Sequence, residues 1–171
     1  ALGMPEDYFE PFFTEGGHVQ LRMLHYPPTK LEDNDFGAGP HTDNAFLTIL
    51  ARMAVPGLRL RMPNGEGVGP PLIPGKLLVD IGHYVRRMSN NRFLSTPHGV
   101  IVEGEQDRYS IAYFHSPKVT NTIEVLPTFV DAENPHKYEP VELGDLVREF
   151  WAANYAHQKG HGDVELKHQY K

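Results

Sequence analysis

Glycine and proline divide this chain into short apolar segments, and that division limits its fold more than any other feature. The 171 residues include 16 glycines and 15 prolines, scattered along the sequence. Between them lie seven segments rich in β-branched and aromatic residues, bounded by turn-forming residues. Those segments are 18–26, 40–50, 57–61, 76–81, 93–102, 107–114 and 122–126. Short strands without strand–helix alternation, or a repeat of about 20 to 50 residues, predict a mainly β sandwich, barrel or jelly roll.

Short helices are expected at both ends of these strands. Residues 5–13 start with a proline, continue with acidic residues and end in aromatic ones, a composition typical of one or two helical turns. Near the other end, apolar residues recur with a helical period, which predicts a helix over about 142–158, packed outside the sheets. A jelly roll over about 18–127 would lie between them in a single domain, 1–171, because this length suits one core.

Composition excludes several functional classes. The net charge is −6 and no basic cluster is longer than Arg86-Arg87, so nucleic acid is not an expected partner. No apolar run approaches the ~18 residues that a membrane span needs. The absence of cysteine excludes disulfides, zinc–thiolate sites and iron–sulfur clusters. Since the first residues also lack a signal-peptide pattern, we expect a cytoplasmic protein.

A metal site must therefore use histidines, of which there are ten, and carboxylates. His41 and Asp43 stand two residues apart at the head of an apolar run, PHTDNAFLTIL. In an extended strand, side chains at i and i+2 point to the same face. One imidazole and one carboxylate on one face are two-thirds of the 2-His-1-carboxylate site that binds non-haem Fe(II) and leaves positions open for other ligands. His98, on a different predicted strand, is the candidate for the second histidine.

A second pair of polar residues points to an anion near this site. Arg108 and Ser110 are again two residues apart, and Arg108 follows His98 by ten residues. An arginine on an inward strand face must pair with an anion, because its charge cannot be left unsatisfied. Its planar fork suits a carboxylate, and the serine hydroxyl adds a donor. Iron beside such a clamp describes a 2-oxoacid cosubstrate, which chelates the metal at one end and places its distal carboxylate on the clamp.

The segments HTDNAFLTIL, VPGLRLR, LIPGKLLVDIGHYVRRMSNNRFLSTPHGV and DRYSIAYFHSP resemble the iron/2-oxoglutarate oxygenases of the isopenicillin N synthase-like superfamily. The resemblance runs from about Leu2 to Pro127. It implies a double-stranded β-helix, a jelly-roll variant. It also implies an enzyme that uses Fe(II), 2-oxoglutarate and O₂ to oxidise an unactivated C–H bond of a small organic molecule. Hydroxylation, desaturation or cyclisation would accompany the release of succinate and CO₂.

The resemblance also implies roles for individual residues. The iron ligands would be His41, Asp43 and His98. The C5 carboxylate of 2-oxoglutarate would be held by Arg108 and Ser110, and Tyr26 matches a family tyrosine that contacts the cosubstrate. Leu24, Phe46 and Phe114 are expected on the pocket wall.

The chain departs from the family pattern at three points. Leu24 stands where the family usually has asparagine, which removes a polar contact near Tyr26. Ala45 replaces a usual glycine. Family enzymes also carry an N-terminal region about as long as this whole chain, so that missing half is an expected partner.

Two alternatives stay open from the sequence. An oxidase like isopenicillin N synthase would use Arg108 and Ser110 to hold a substrate carboxylate and would need no 2-oxoacid. A non-catalytic core fragment or binding module would keep the same residues as architecture. Five other histidines are assigned to packing or the pocket wall (His25, His83 and His115) or to a solvated tail (His157 and His161).

Overall fold

The fold is built around two four-stranded sheets of antiparallel strands. The structure is a computed structural model, and it describes residues 2–14, 16–28, 36–102 and 104–154. The major sheet has the order β1-β8-β3-β6, where these strands are β1 (His18–Tyr26), β3 (Leu47–Arg52), β6 (Leu78–Ile81) and β8 (Arg108–Ser116). The minor sheet has the order β2-β7-β4-β5, formed by β2 (Ala38–His41), β4 (Leu58–Arg61), β5 (Gly67–Val68) and β7 (His98–Val100).

The two sheets face each other across an apolar layer. On β8 the side chains alternate between buried and exposed from Arg108 to Ala112, as expected when one face of a strand is covered. The covered faces of both sheets meet around Tyr26, Leu58, Val100 and Val102. This arrangement is a jelly roll, and the predicted mainly β fold is confirmed.

A second apolar cluster lies where the helices meet the strands. The helices are α1 (Glu10–Phe13), α2 (His83–Met88) and α3 (Leu143–Asn154), with a 3₁₀ helix at Pro127–Phe129. A two-stranded sheet of β9 (Thr122–Ile123) and β10 (Val141–Glu142) lies beside them. The fully buried side chains of the cluster include Tyr84, Met88, Ile123, Leu126 and Leu143. No helix in the described residues is both long enough and apolar enough to span a bilayer.

Some predicted boundaries are confirmed and others are wrong. The strand predicted over 93–102 is limited to β7 (His98–Val100), and the one over 122–126 is limited to β9 (Thr122–Ile123). The strand 18–26 has the predicted limits, and the C-terminal helix starts at Leu143 and is described to Asn154. The rest of the predicted helix lies outside the described residues, as do His157 and His161. Segment 40–50 is not one strand, because β2 ends at His41 and β3 begins at Leu47. Between these residues the chain crosses from the minor sheet to the major sheet.

The outer face of the major sheet exposes apolar side chains. Across β1, β8 and β6, seven of them are at least 44% exposed: Val19, Leu21, Met23, Tyr109, Ile111, Val79 and Leu77, the last immediately before β6. Met23, on the edge strand β1, reaches 79%. Exposed apolar surface of this kind is typical of interaction sites, whether for protein, ligand or membrane.

His83, at the start of α2, makes the stability of the fold depend on pH. The pKa of its imidazole is lowered from 6.5 to about 4. Burial is the largest cause, and the charges of Arg86 and Arg87 add to it. The unfolded chain therefore takes up this proton below about pH 6.5, whereas the folded chain resists it until about pH 4. The stability that neutral His83 contributes is present above pH 6.5 and is lost as the pH falls toward 4.

Replacement of His83 by glutamine should therefore reduce the loss of stability between pH 6.5 and 4. The measurement is the melting temperature of metal-free protein, with a chelator present, at intervals across this range. His136→Gln, at an exposed histidine, is the matched control and should keep the wild-type slope. Equal slopes for His83→Gln and the wild type would contradict the prediction.

Candidate active site

Three side chains converge at one end of the space between the sheets. His41 is the last residue of β2, His98 is the first residue of β7, and the two lie opposite each other in register. Asp43 follows in the crossing segment between the sheets and is only 4% exposed. Its Oδ1 lies 3.6 Å from His41 Nε2 and 3.5 Å from His98 Nε2. The structure thus brings together the three residues predicted as metal ligands.

Hydrogen bonds orient both imidazoles. His41 Nδ1 lies 2.8 Å from the carbonyl oxygen of Gly39, and His98 Nδ1 lies 3.0 Å from that of Thr96. A carbonyl oxygen can only accept, so each Nδ1 carries the proton and donates it. Each Nε2 is then left with its lone pair directed toward Asp43, which is the tautomer that a metal needs.

The spacing of these atoms fits a transition-metal ion. One nitrogen or oxygen of each residue lies within 4.8 Å of those of the other two. A first-row divalent ion with bonds of about 2.1 Å needs ligand atoms roughly 3 to 3.5 Å apart. The carboxylate stands between two neutral nitrogen donors and leaves the cavity side uncovered. The donor set and its spacing therefore fit the Fe(II) that this pattern prefers.

Backbone bonds fix the segment that carries Asp43. The N–H of His83 donates to the carbonyl of Asp43 at 2.9 Å, and the N–H of Gly82 donates to that of Phe46 at 3.0 Å. Gly82 is close enough to Ala45 that an added Cβ would lie 2.0 Å from its carbonyl oxygen. The junction of β6 and α2 therefore holds the crossing segment in place.

A buried cation without a protein anion among the described residues lies on the major sheet. Arg108 is 2% exposed, and its Nε and Nη1 make no hydrogen bond to any described residue. Burial lowers the pKa of its guanidinium; the charge of Tyr26 and a side-chain hydrogen bond to it partly offset this shift, while the charge of Arg52 adds to it. The guanidinium carbon lies 4.9 Å from the centre of the Tyr26 ring. A buried guanidinium with free donors needs an anion, and no described side chain supplies one.

The neighbours of Arg108 follow from strand register. Ser110 lies two residues along β8 on the same buried face, and Tyr26 is opposite Arg108 on β1. Leu24 is opposite Ser110 on β1. The predicted clamp residues thus share one end of the inner face of the sheet.

Gly57 allows the chain to pass close to Arg108. Its φ is +146°, and an added Cβ would lie 2.7 Å from the carbonyl oxygen of Ile101 and 3.2 Å from Arg108 Nε. We expect Gly57→Ala to destabilise the protein by about 1–3 kcal/mol, since it adds backbone strain and a steric clash. It should also displace the guanidinium and weaken anion binding at Arg108.

Gly65→Ala is the matched control for this prediction. Gly65 also has a positive φ, +86°, but nothing lies within 4 Å of the added Cβ. Thermal melts and 2-oxoglutarate titrations of both variants separate the two effects. A Gly57→Ala protein with the stability and affinity of Gly65→Ala would refute the steric argument.

The three ligand residues and Arg108 share one cavity of about 390 Å³ between the sheets. Leu24 and Phe114 lie on its wall, as does Tyr26. Phe46 does not, and its predicted pocket position is wrong. Its ring packs edge-on against Phe9 and Phe13 in the helical cluster, because the crossing segment turns it away from the space between the sheets.

Comparisons with known proteins identify the family. The sequence profile of the 2OG-Fe(II) oxygenase superfamily matches residues 17–117, more than half of the chain. The chain belongs to the 2OG-Fe(II) oxygenase superfamily. The 2-oxoglutarate-Fe(II) type oxidoreductase hxnY of Emericella nidulans is 34% identical over 159 residues, covering 91% of this chain and 45% of that protein.

Solved structures of the superfamily share the fold. A full-length Neurospora crassa protein, crystallised in complex with alpha-KG, matches with a TM-score of 0.83 at 34% identity, covering 90% of this chain and 50% of that one. JOX2, in complex with 2OG, Fe and JA, matches with a TM-score of 0.77 at 32% identity, covering 87% and 44%. The chain spans about half the length of the relatives it matches.

In this oxygenase fold, two further cavity residues were missed from the sequence. Asp80 on β6 lies opposite Thr48, with its Oδ2 3.7 Å from His98 Nδ1. Burial raises the pKa of Asp80 to about 6, and Asp43 raises it too, whereas His98 opposes the shift. Arg22 on β1 also lines the cavity. Counting in steps of two from Tyr26 would have placed Arg22 on this face.

Two histidines that the sequence left between packing and the pocket wall lie outside the cavity. His25 pairs with Asp107 at 2.6 Å, and its ring stacks on Tyr109 on the outer face of the major sheet. His115 stacks on Phe13. Both histidines have packing roles in the described structure.

Proposed function

We propose that this chain is the catalytic core of an Fe(II)- and 2-oxoglutarate-dependent oxygenase that oxidises a C–H bond of a small organic molecule. One observation carries the proposal: the buried guanidinium of Arg108, without a protein anion among the described residues, faces the same cavity as the His-Asp-His set. A metal that chelates one end of a dicarboxylate and a cation that holds the other end account for both features.

The proposed roles follow from these positions. His41, Asp43 and His98 would hold Fe(II), while Arg108 and Ser110 would hold the C5 carboxylate of 2-oxoglutarate, with Tyr26 against the guanidinium. Iron bound with 2-oxoglutarate supplies oxidation by O₂: for hydroxylation, one oxygen atom enters succinate and the other enters the substrate as CO₂ is released.

The protein contributes position and environment. The hydrogen bonds to Gly39 and Thr96 hold the two imidazoles as neutral donors, so they need no reorganisation when the metal binds. Leucines of both sheets exclude water from the space between metal and clamp: Leu24, Leu50, Leu58, Leu60 and Leu78. An apolar wall also suits an apolar substrate.

The test is an anaerobic titration of the Fe(II)-loaded protein with 2-oxoglutarate. A chelated 2-oxoacid produces a weak visible charge-transfer band, and the proposal requires that band, followed by succinate formation when O₂ and substrate are added. Iron binding without a band would favour the oxidase alternative, in which Arg108 holds a substrate carboxylate and 2-oxoglutarate is not consumed.

The apolar outer face of the major sheet favours a second candidate. A catalytic core whose apolar outer face is left exposed to solvent could be a non-catalytic fragment or a binding module. We propose instead that an N-terminal region like that of longer family members covers this face in the active protein. Turnover by the chain alone separates the two: a chain that binds iron and 2-oxoglutarate but never forms succinate supports the binding module.

Domain organisation, partners and cellular location are part of the same proposal. We propose that residues 1–171 form one catalytic domain without nucleic acid or membrane partners. A cytoplasmic location, for which the absence of cysteine is the support, stays a prediction.

A further inference from the structure

Two charged side chains on the cavity wall have no part in the proposed iron site or 2-oxoglutarate clamp. Among the described residues, these two are Arg22 and Asp80. Arg22 is on β1 and Asp80 is on β6, which are the opposite edges of the major sheet. Three inter-strand spacings of about 4.8 Å separate these edges, so the two backbones lie roughly 14 Å apart. The cavity is therefore polar at both ends, with opposite charges.

The acidic end belongs to the metal site. Asp80 lies beside His98, and Asp43 is 3.5 Å from the same imidazole. Without a metal, the two carboxylates at this end repel an anionic ligand group; with Fe(II) bound, the proposed function gives this end to the chelating end of 2-oxoglutarate. An anion that enters the cavity is therefore directed either to Arg108, the proposed 2-oxoglutarate clamp, or to Arg22.

Arg22 has no described partner that would neutralise it. Arg22 is solvent-exposed and also lines the cavity, and its side chain forms no ion pair or hydrogen bond with a described residue. In the sheet register, Arg22 is opposite Ala112, which pairs with Leu50, which in turn pairs with Leu78. One row across the inner face thus presents a cation followed by three apolar side chains. The neighbouring row contains Thr48 and ends at Asp80, beside the metal site.

We infer that Arg22 binds a carboxylate of the substrate, and that the substrate is an apolar small molecule with a carboxylate at one end. This inference rests on the proposed function of the cavity. The guanidinium fork matches a carboxylate, while Ala112 leaves room beside it for the ligand. The apolar body lies over Leu50 and Leu78, and the far end of the molecule reaches the metal. Arg22 is thus a specificity-determining residue.

The experiment compares carboxylates with neutral molecules of the same shape. The probes are 3-phenylpropanoate, 5-phenylpentanoate and decanoate, each paired with its primary amide. Dissociation constants are measured by anaerobic calorimetry on protein that holds Fe(II) and 2-oxoglutarate. Wild-type protein should bind at least one carboxylate roughly ten- to hundredfold more tightly than its amide, as expected for a charge-assisted hydrogen bond. Arg22→Gln should remove this preference.

Two further variants control for charge and geometry. Arg61→Gln removes an exposed arginine of β4 that does not line the cavity, and it should keep the preference. Arg22→Lys keeps the charge without the planar guanidinium fork, and it should retain part of the preference for carboxylates. Equal binding of acids and amides, no binding of any carboxylate, or a preference that survives in Arg22→Gln would overturn the inference.

The visible band formed with 2-oxoglutarate separates this inference from the proposed function. Arg22→Gln should form the band with unchanged 2-oxoglutarate affinity. A wild-type protein without the band refutes the proposed function, whatever carboxylates it binds. A normal band without carboxylate preference refutes only the role of Arg22.

Discussion

Replacement of Arg108 by methionine is expected to weaken 2-oxoglutarate binding by roughly 30- to 5,000-fold. The variant keeps a long apolar side chain but removes the charge and every donor that the C5 carboxylate would use. Loss of one partner from a buried, hydrogen-bonded charge pair costs about 2–5 kcal/mol, which corresponds to this range. The measurement is the anaerobic titration of Fe(II)-loaded protein, read from the visible band and from calorimetry.

Although the variant binds 2-oxoglutarate more weakly, its stability without ligand should equal or exceed that of the wild type. Arg108 is buried and lacks a protein anion among the described residues, so its charge destabilises the empty fold. Replacement of buried charges by apolar groups of similar volume is often neutral or stabilising. Arg108→Met should therefore melt at the wild-type temperature or above it, although it no longer binds the cosubstrate.

This combination distinguishes a binding role from a structural one. A residue that only supported the fold would lower the melting temperature when replaced. Arg108→Lys keeps the charge without the planar fork, and its affinity should lie between the other two proteins. A methionine variant with wild-type affinity for 2-oxoglutarate would refute the assignment of the clamp.

The sheet faces could be predicted from the sequence wherever a strand is regular. From Arg108 to Ala112 on β8, buried and exposed side chains alternate, so the position of Ser110 beside Arg108 follows from spacing alone. β1 shows no such alternation, because most of its residues are exposed. The pairing of Tyr26 with Arg108 does not, because it depends on register between strands more than 80 residues apart. The family resemblance implied only that both residues contact the cosubstrate, and not that they pair.

The HTD segment shows where the prediction was right for an incomplete reason. His41 and Asp43 do converge, but the chain leaves β2 between them and does not continue as a strand. The turn that follows changes which alternate residues face inward, so Thr48 and Leu50 line the cavity instead of Leu47 and Ile49. A bend stabilised by backbone bonds to α2 is a tertiary effect, and it also explains why Phe46 was misplaced.

Asp80 and Arg22 could not be assigned to the site before the sheet order was known. Each lies in a strand with few other polar residues on its inner face, and neither has a motif. Their importance comes from being on opposite edges of one sheet, which is a property of topology. Two opposite charges at the two edges of a sheet can be related to one cavity only when both strands have been placed.

Asp43→Asn is expected to reduce Fe(II) affinity by at least about a hundredfold. The amide keeps the size and one oxygen of the carboxylate, but it is neutral and a much weaker ligand for a hard divalent ion. In wild-type protein, Fe(II) at 100 times its dissociation constant should stabilise the fold by about 2.7 kcal/mol. For a chain of this length, that corresponds to a rise of roughly 5–10 °C in melting temperature.

The amide variant should show almost no rise at the same Fe(II) concentration, measured anaerobically. Asp107→Asn is the matched control, since that carboxylate pairs with His25 on the outer face and should leave the metal-induced rise unchanged. Because Asp43 is the only carboxylate in the three-residue set, an Asp43→Asn protein with a normal rise would mean that the metal binds elsewhere. The 2-oxoglutarate band would then also survive in Asp43→Asn, and the geometry between the sheets would describe architecture without the proposed chemistry.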